Sequence, residues 1–121
     1  MARTEHAVLV VEDEPLVREL IVEALMDRGL EIVAASTGDE ALKVFLAHPE
    51  IGVVFTDITM PGKLNGCDLA REVRARRPDI TVVLTSGKSL PVNCGLPDGG
   101  IFIAKPYSQS AMVSLITGLL D

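Results

Sequence analysis

The stretch Val53-Val54-Phe55-Thr56-Asp57-Ile58-Thr59-Met60-Pro61-Gly62 constrains the fold of this chain more than any other. An apolar run carries the backbone through a core and delivers one carboxylate, Asp57, at its end. Pro61 and Gly62 then stop regular structure. A short β-branched and aromatic run bounded by such breakers reads as a buried strand. Open α/β sheets place their chemistry at the carboxyl ends of strands, so the other residues matter through what they bring to Asp57.

The chain has 121 residues, enough for one domain with a real core. Nearly half of it is apolar, which favours folding over disorder. The net charge of -6 leaves no basic excess to neutralise phosphates and argues against nucleic-acid binding. No apolar run approaches a membrane span, and Met1-Ala2-Arg3-Thr4-Glu5-His6 carries no apolar signal region. Cys67 and Cys94 lie far apart and form no metal-type pair. We read them as buried or inert thiols in a reducing cytoplasm rather than as a disulfide. His6 and His48 read as solvated surface residues.

Taken in order, Ala7 to Val11 is the first strand, followed by Glu12-Asp13-Glu14-Pro15. Pro15 suits the first turn of a helix, and acids there complement its N-terminus. Val17, Leu20, Ile21, Ala24 and Leu25 recur at helical spacing, and Gly29 stops that helix. Leu30, Ile32 and Ala34 alternate as in a half-exposed edge strand. Thr37 and Glu40 stand at capping-box spacing before a second helix with Leu42, Phe45 and Leu46 on its buried face. Ile51 to Phe55 is the central strand. Asn65 caps a third helix, Cys67 to about Arg76, with Leu69, Ala70 and Val73 inward and Arg71, Arg74, Arg76 and Arg77 toward water. Ile80 to Leu84 and Ile101 to Ala104 are the fourth and fifth strands. Ser108 caps a last helix whose stripe is Met112, Leu115, Ile116 and Leu119. Between them, Lys88 to Gly100 contains Pro91, Gly95, Pro97, Gly99 and Gly100; we expect a loop or one distorted turn there, so that the fourth helix of an alternating pattern is absent or distorted. The alternation elsewhere predicts a parallel sheet covered on both faces.

The residues just after each strand form a set: Glu12 and Asp13 after the first, Asp57 after the third, Thr85 and Ser86 after the fourth, Lys105 after the fifth. With a strand order of 2-1-3-4-5, the first and third strands flank the switch point where such sheets bind ligands. Three acids packed together repel one another unless a cation joins them, and oxygen ligands with open positions suit Mg²⁺. A carboxylate can act as a nucleophile and form an acyl phosphate, a reaction that asks mainly for positioning and charge neutralisation. Singly, each residue has a plainer explanation: Glu12, Asp13 and Glu14 as helix N-terminal acids, Ser86-Gly87 and Lys105-Pro106 as turns. Their joint occurrence, each at the right strand end, outweighs it.

At this point the chain resembles the receiver domain of two-component response regulators. The matching pieces are Leu9-Val10-Val11-Glu12-Asp13-Glu14, Thr56-Asp57-Ile58-Thr59-Met60-Pro61-Gly62, Asn65-Gly66, Leu84-Thr85-Ser86-Gly87 and Lys105-Pro106-Tyr107, in the family's order and spanning essentially the whole chain. The resemblance implies a flavodoxin-like, doubly wound sheet of five parallel strands. It implies that Asp57 is the phosphoacceptor and that Glu12, Asp13, Asp57 and the Thr59 backbone carbonyl hold Mg²⁺. Ser86 matches the switch hydroxyl, with Thr85 as the alternative, and Phe102 matches the aromatic switch position. Lys105 matches the lysine that pairs with the phosphoryl group. Thr59 and Lys88 match positions that tune dephosphorylation. The implied donor is a sensor histidine kinase or histidine phosphotransfer protein, and the implied compartment the cytoplasm, with no membrane partner.

Two features depart from the family pattern: a glutamate as first metal acid, and the helix-poor segment Lys88 to Gly100. The second resembles receivers attached to hybrid kinases, or stand-alone relay receivers, and it argues against dimerisation through the usual face; we expect a monomer or weak dimer. No DNA-binding domain follows Asp121, so a single receiver domain over residues 1–121 without an output domain is expected. Three rival readings fit the residues less well. A haloacid-dehalogenase-type phosphatase also uses an aspartate nucleophile, but normally near the first strand and with a second acid where Thr59 stands. A phosphorylation-independent interaction module would usually have lost part of the set retained here. A flavin carrier fits neither the acidic cluster nor the scarcity of aromatics.

Overall fold

The computed structural model describes residues 6–88, 90, 91, 94 and 100–120. Five strands form one sheet: β1 (Ala7–Val11), β2 (Glu31–Ala35), β3 (Ile51–Asp57), β4 (Thr81–Ser86) and β5 (Ile101–Ala104). Four helices join them: α1 (Pro15–Met26), α2 (Gly38–Ala47), α3 (Gly66–Arg76) and α4 (Gln109–Leu120). The sheet order is β2-β1-β3-β4-β5 and every pairing is parallel, as the alternating pattern predicts.

Successive side chains of a strand point to opposite faces, and the two core layers follow from that. Leu9, Val11, Val54, Val82 and Leu84 join α2 and α3 on one face. Val8, Val10, Val53, Phe55 and Val83 join α1 and α4 on the other. Ile51 and Val54 share a face although three positions apart, because the β1–β3 register shifts between Ala7 and Val8 and passes over Gly52. β1 and β3 are buried along their full length, as expected of central strands covered on both faces.

Helix ends follow the sequence signals with one shift. Asn65 accepts from the Asp68 amide and Asp68 accepts from the Asn65 amide, a reciprocal capping box that starts α3. Thr37 accepts from the Glu40 amide, but the Glu40 carboxylate turns to the Ser36 amide, one residue before the cap. Ser108 caps α4 by accepting from the Ala111 amide.

The apolar stripes are narrower than the periodicity implied. Ile21, Ala24 and Leu25 of α1 are buried, whereas Leu20 is 60% exposed, Val17 is at the surface and Leu46 of α2 faces water. The arginines of α3 are also not all solvated. Arg74 donates to the Ile80 carbonyl, Arg71 donates to the Cys94 carbonyl, and Arg77 stacks over the Phe45 ring. His6 and His48 are surface residues, each paired with a glutamate, Glu31 and Glu50 respectively.

The cysteines overturn the expectation of two free thiols: Cys67 and Cys94 form a disulfide. Cys67 opens α3, and Cys94 lies in the segment after β4, where the Pro91 carbonyl accepts from its amide. Strand order explains the meeting, because α3 links β3 to β4 and the chain leaving β4 returns beside it. A separation of 27 residues carries no local signal of such pairing. Among the described residues of 88–100, none is helical. Positions 89, 92, 93 and 95–99, on which the expected loss of a helix also rests, lie outside the described residues, as do 1–5 with the expected absence of a signal region. Among the described residues, no helix is long and apolar enough to cross a membrane.

Candidate functional site

The parallel register brings the expected residues to one edge of the sheet. Beyond β1, the Glu12 amide donates to the Ala35 carbonyl and fixes the start of the acidic turn. At the end of β3, Asp57 stands opposite Thr85 of β4, and the Ile58 amide donates to the Thr85 carbonyl. Beyond β5, the Lys105 amide donates to the Ser86 carbonyl. Three backbone bonds thus hold the carboxyl ends of neighbouring strands level with one another.

Glu12, Asp13 and Asp57 each offer a carboxylate oxygen within 4.8 Å of the other two. Glu12 and Asp57 are buried at 4% and 6% exposure, while Asp13 is exposed. Lys105 Nζ lies 2.7 Å from Asp57 Oδ1 and 3.6 Å from Glu12 Oε1. One ammonium therefore pairs with two of the three clustered carboxylates, the two withdrawn from water.

Titration follows this imbalance. Burial raises the Glu12 carboxyl above its ordinary value, and its contact with the Asp57 carboxylate raises it further, against the Glu14 amide and the Lys105 charge, which lower it. Burial draws Lys105 down, but the bond and charge of Asp57, with the charge of Glu12, outweigh it and leave the ammonium raised. Tyr107 is likewise raised, by burial first and by the same carboxylates. The donor set fits a hard divalent cation: oxygen atoms only, close together, with like charges that a single ammonium does not balance.

A cavity of about 330 Å³ opens beside Asp57, lined by Thr59, Thr85, Ser86, Gly87, Lys88 and Lys105. It therefore gathers Ser86, Thr59 and Lys88 with Asp57. The Ser86 hydroxyl accepts from the Lys88 amide, which leaves its own hydrogen to donate. The Thr85 hydroxyl is buried and has no hydrogen-bond partner among the described residues. Phe102 is not part of the cavity lining. It stands opposite Leu84 on β5, half-buried against the core layer that contains Cys94 and Leu90.

Two supporting residues escaped sequence reasoning. Arg18 donates to the Glu12 carbonyl from α1, at 2.9 Å, and holds the acidic turn from outside. Tyr107 packs its ring edge-on to Phe55 at 6.0 Å, beneath the strand end that carries Asp57. The six-residue spacing from Glu12 to Arg18 could have suggested the first; nothing local indicates the second.

The chain resembles known proteins in sequence and in fold. The sensor kinase CckA of Brucella abortus is 33% identical over 122 residues, covering 94% of this chain and 12% of that protein. A probable transcriptional regulator, ycf27 of Cyanophora paradoxa, is 34% identical, covering 99% of this chain and 50% of its own length. The chain spans about half, or far less, of the curated relatives it matches. Among solved structures, the response regulator TrrA of Thermotoga maritima, in complex with Mg²⁺ and BeF, aligns with a TM-score of 0.83 at 32% identity and covers 95% of this chain and 99% of that one. Residues 8–117 match the response regulator receiver domain as a family. A sheet wound in that order, with its acids, hydroxyl and ammonium at the matching strand ends, leaves one assignment: the chain belongs to the response regulator receiver domains of two-component signalling.

Proposed function

We propose that the chain receives a phosphoryl group on Asp57 from a phosphohistidine donor and passes the signal on by a change in its surface. The observation that carries this reading is the Asp57 carboxylate, buried at a strand end, paired with Lys105 at 2.7 Å and standing among Glu12 and Asp13. A buried acid cluster of this kind is costly for stability alone, which supports a chemical role.

A carboxylate oxygen of Asp57 attacks the donor phosphorus. The new P–O bond forms as the P–N bond breaks, and its electron pair returns to the imidazole nitrogen. Lys105 moves its ammonium from the free carboxylate to the phosphoryl oxygens, and the Ser86 hydroxyl donates to one of them. Glu12, Asp13, Asp57 and the Thr59 backbone carbonyl are the residues that would hold Mg²⁺, which supplies charge neutralisation and orientation of the phosphoryl oxygens. Phosphorylation adds negative charge and strong acceptors. Movement of Ser86 toward them loosens the top of β4 beside Phe102, whose packing shifts a pre-existing equilibrium of the surface. Thr59 and Lys88, at the cavity mouth, govern how water reaches the acyl phosphate. The domain thus promotes its own phosphorylation and hydrolysis.

The likeness to the sensor kinase CckA supports a sensor kinase or phosphotransfer protein as donor, and the helix-poor composition of Lys88 to Gly100 favours a monomer or weak dimer as the acting form. The reading places the chain in the cytoplasm, where thiol pools reduce most disulfides. The Cys67–Cys94 bridge then becomes conditional on redox state.

The test is intact mass after incubation with acetyl phosphate, with and without Mg²⁺, beside Asp57→Asn. A single phosphoryl adduct requiring both Mg²⁺ and Asp57 is expected. An adduct on Asp57→Asn, or none on the wild type under Mg²⁺, refutes the reading.

A further inference from the structure

The loop from Thr59 to Leu64 brings Thr59 to the cavity lining, yet it includes Pro61 and Gly62 and belongs to no regular element. Met60 packs into the core layer, and a side chain from α2 ties the loop's backbone to a different part of the fold. Asp39, in the first turn of α2, accepts through Oδ1 from both the Lys63 and the Leu64 amides, each at 3.1 Å. Two further contacts show the loop seated on that helix start. Gly62 has φ 97°, and a Cβ there would stand 3.0 Å from the same Asp39 oxygen. A Cβ on Gly38 would stand 2.4 Å from the Leu64 carbonyl oxygen. At its near end the loop is held by the Gly66 amide, which donates to the Ile58 carbonyl.

We propose that Asp39 is a positioning residue for the cavity: from α2 it clamps the Lys63–Leu64 backbone, fixes the loop that bears Thr59, and so sets the rate of phosphoryl transfer to Asp57 without touching the reacting group. The inference rests on Asp57 being the acceptor. A carboxylate that accepts two adjacent amides is a rigid anchor, and reaction rates depend steeply on sub-ångström placement. The plainer role for Asp39 is that of an acid favouring the positive end of a helix. The two roles separate cleanly, because asparagine keeps the accepting oxygen and loses the charge.

The experiment follows adduct formation from acetyl phosphate under saturating Mg²⁺ by intact mass, together with amide exchange at Lys63 and Leu64, in the wild type, Asp39→Ala and Asp39→Asn. Asp39→Ala should slow adduct formation about tenfold, well short of the ~100-fold a 1 Å misplacement can bring. It should speed exchange at both amides and leave the melting temperature within about 2 °C, as for a surface change. Asp39→Asn should restore the rate and the protection. If Asp39→Ala reacts at the wild-type rate, or if Asp39→Asn is as slow as Asp39→Ala, the clamp is wrong while phosphorylation of Asp57 stands. A wild type that forms no adduct removes the functional reading and this inference with it. Should Asp39→Ala not fold, Gly62→Ala perturbs the same seat from the loop side; a slowed reaction is expected, and a wild-type rate overturns the proposal.

Discussion

Removing the Cys67–Cys94 bridge should destabilise the fold by an amount that follows from its place in the chain. A disulfide acts chiefly by limiting the unfolded ensemble, and the loss of chain entropy grows with the loop it closes. For a separation of 27 residues, the chain-entropy relation gives about 3.5 kcal/mol at 25 °C. With an unfolding entropy of about 2.1 cal/mol/K per residue, a chain of 121 residues should then melt about 14 °C lower. Both cysteines are buried, at 4% and 2% exposure, so paired Cys67→Ala and Cys94→Ala changes avoid an unsatisfied hydroxyl. The hydrogen bond from the Arg71 guanidinium to the Cys94 carbonyl does not depend on the sulfurs and survives. Thermal melts of the oxidised wild type, the same protein under a thiol reductant and the double variant make the comparison, with intact mass establishing the loss of two hydrogens in the bridge. The reduced protein and the variant should agree, both far below the oxidised form. An oxidised, bridged protein that melts within about 2 °C of the double variant would refute the entropic argument. Thiols that remain fully reactive in air-oxidised folded protein would refute the pairing itself.

Two further outcomes follow from the site. A Cβ on Gly66 would stand 2.1 Å from the Asp57 carbonyl oxygen and 2.7 Å from the Ile58 Cα, both backbone atoms; Gly66→Ala should therefore cost about 1–3 kcal/mol by overpacking and slow adduct formation on Asp57, read by urea unfolding and intact mass. Glu12 is raised above 4.5, first by burial and then by Asp57, so the folded chain holds this proton more tightly than the unfolded one; its contribution is fully present below 4.5 and is lost as pH rises through the higher folded value. Without Mg²⁺, the stability difference between wild type and Glu12→Gln should thus move in favour of the wild type as pH falls from neutrality toward 4.5, and a difference flat across that window would contradict the burial argument.

The candidate site of this chain was legible in its sequence because strand ends mark themselves. Each apolar run stops at a residue of a different kind, and a parallel sheet brings those stops to one edge, so Glu12, Asp13, Asp57, Ser86 and Lys105 could be gathered without coordinates. The same reasoning placed Leu20 and Leu46 inside, where the structure leaves them exposed. Helical period identifies a stripe but not its width, which depends on how far the neighbouring helix reaches. What the sequence concealed was the set of attachments between segments that share no local pattern: Cys67 with Cys94, Asp39 with the Lys63 and Leu64 amides, Arg71 with the Cys94 carbonyl. Each joins residues more than twenty positions apart, and each uses a side chain that a local pattern would assign to solvent or to a helix end. These attachments secure the two parts of the site that no strand supports, the loop after β3 and the segment after β4. Strand ends supply the residues of the candidate site, and single side chains from α2 and α3 hold the irregular backbone beside them. Substitution at Asp39 should accordingly alter the rate and loss of the Cys67–Cys94 bridge the stability, while Glu12, Asp13, Asp57, Ser86 and Lys105 all remain in place.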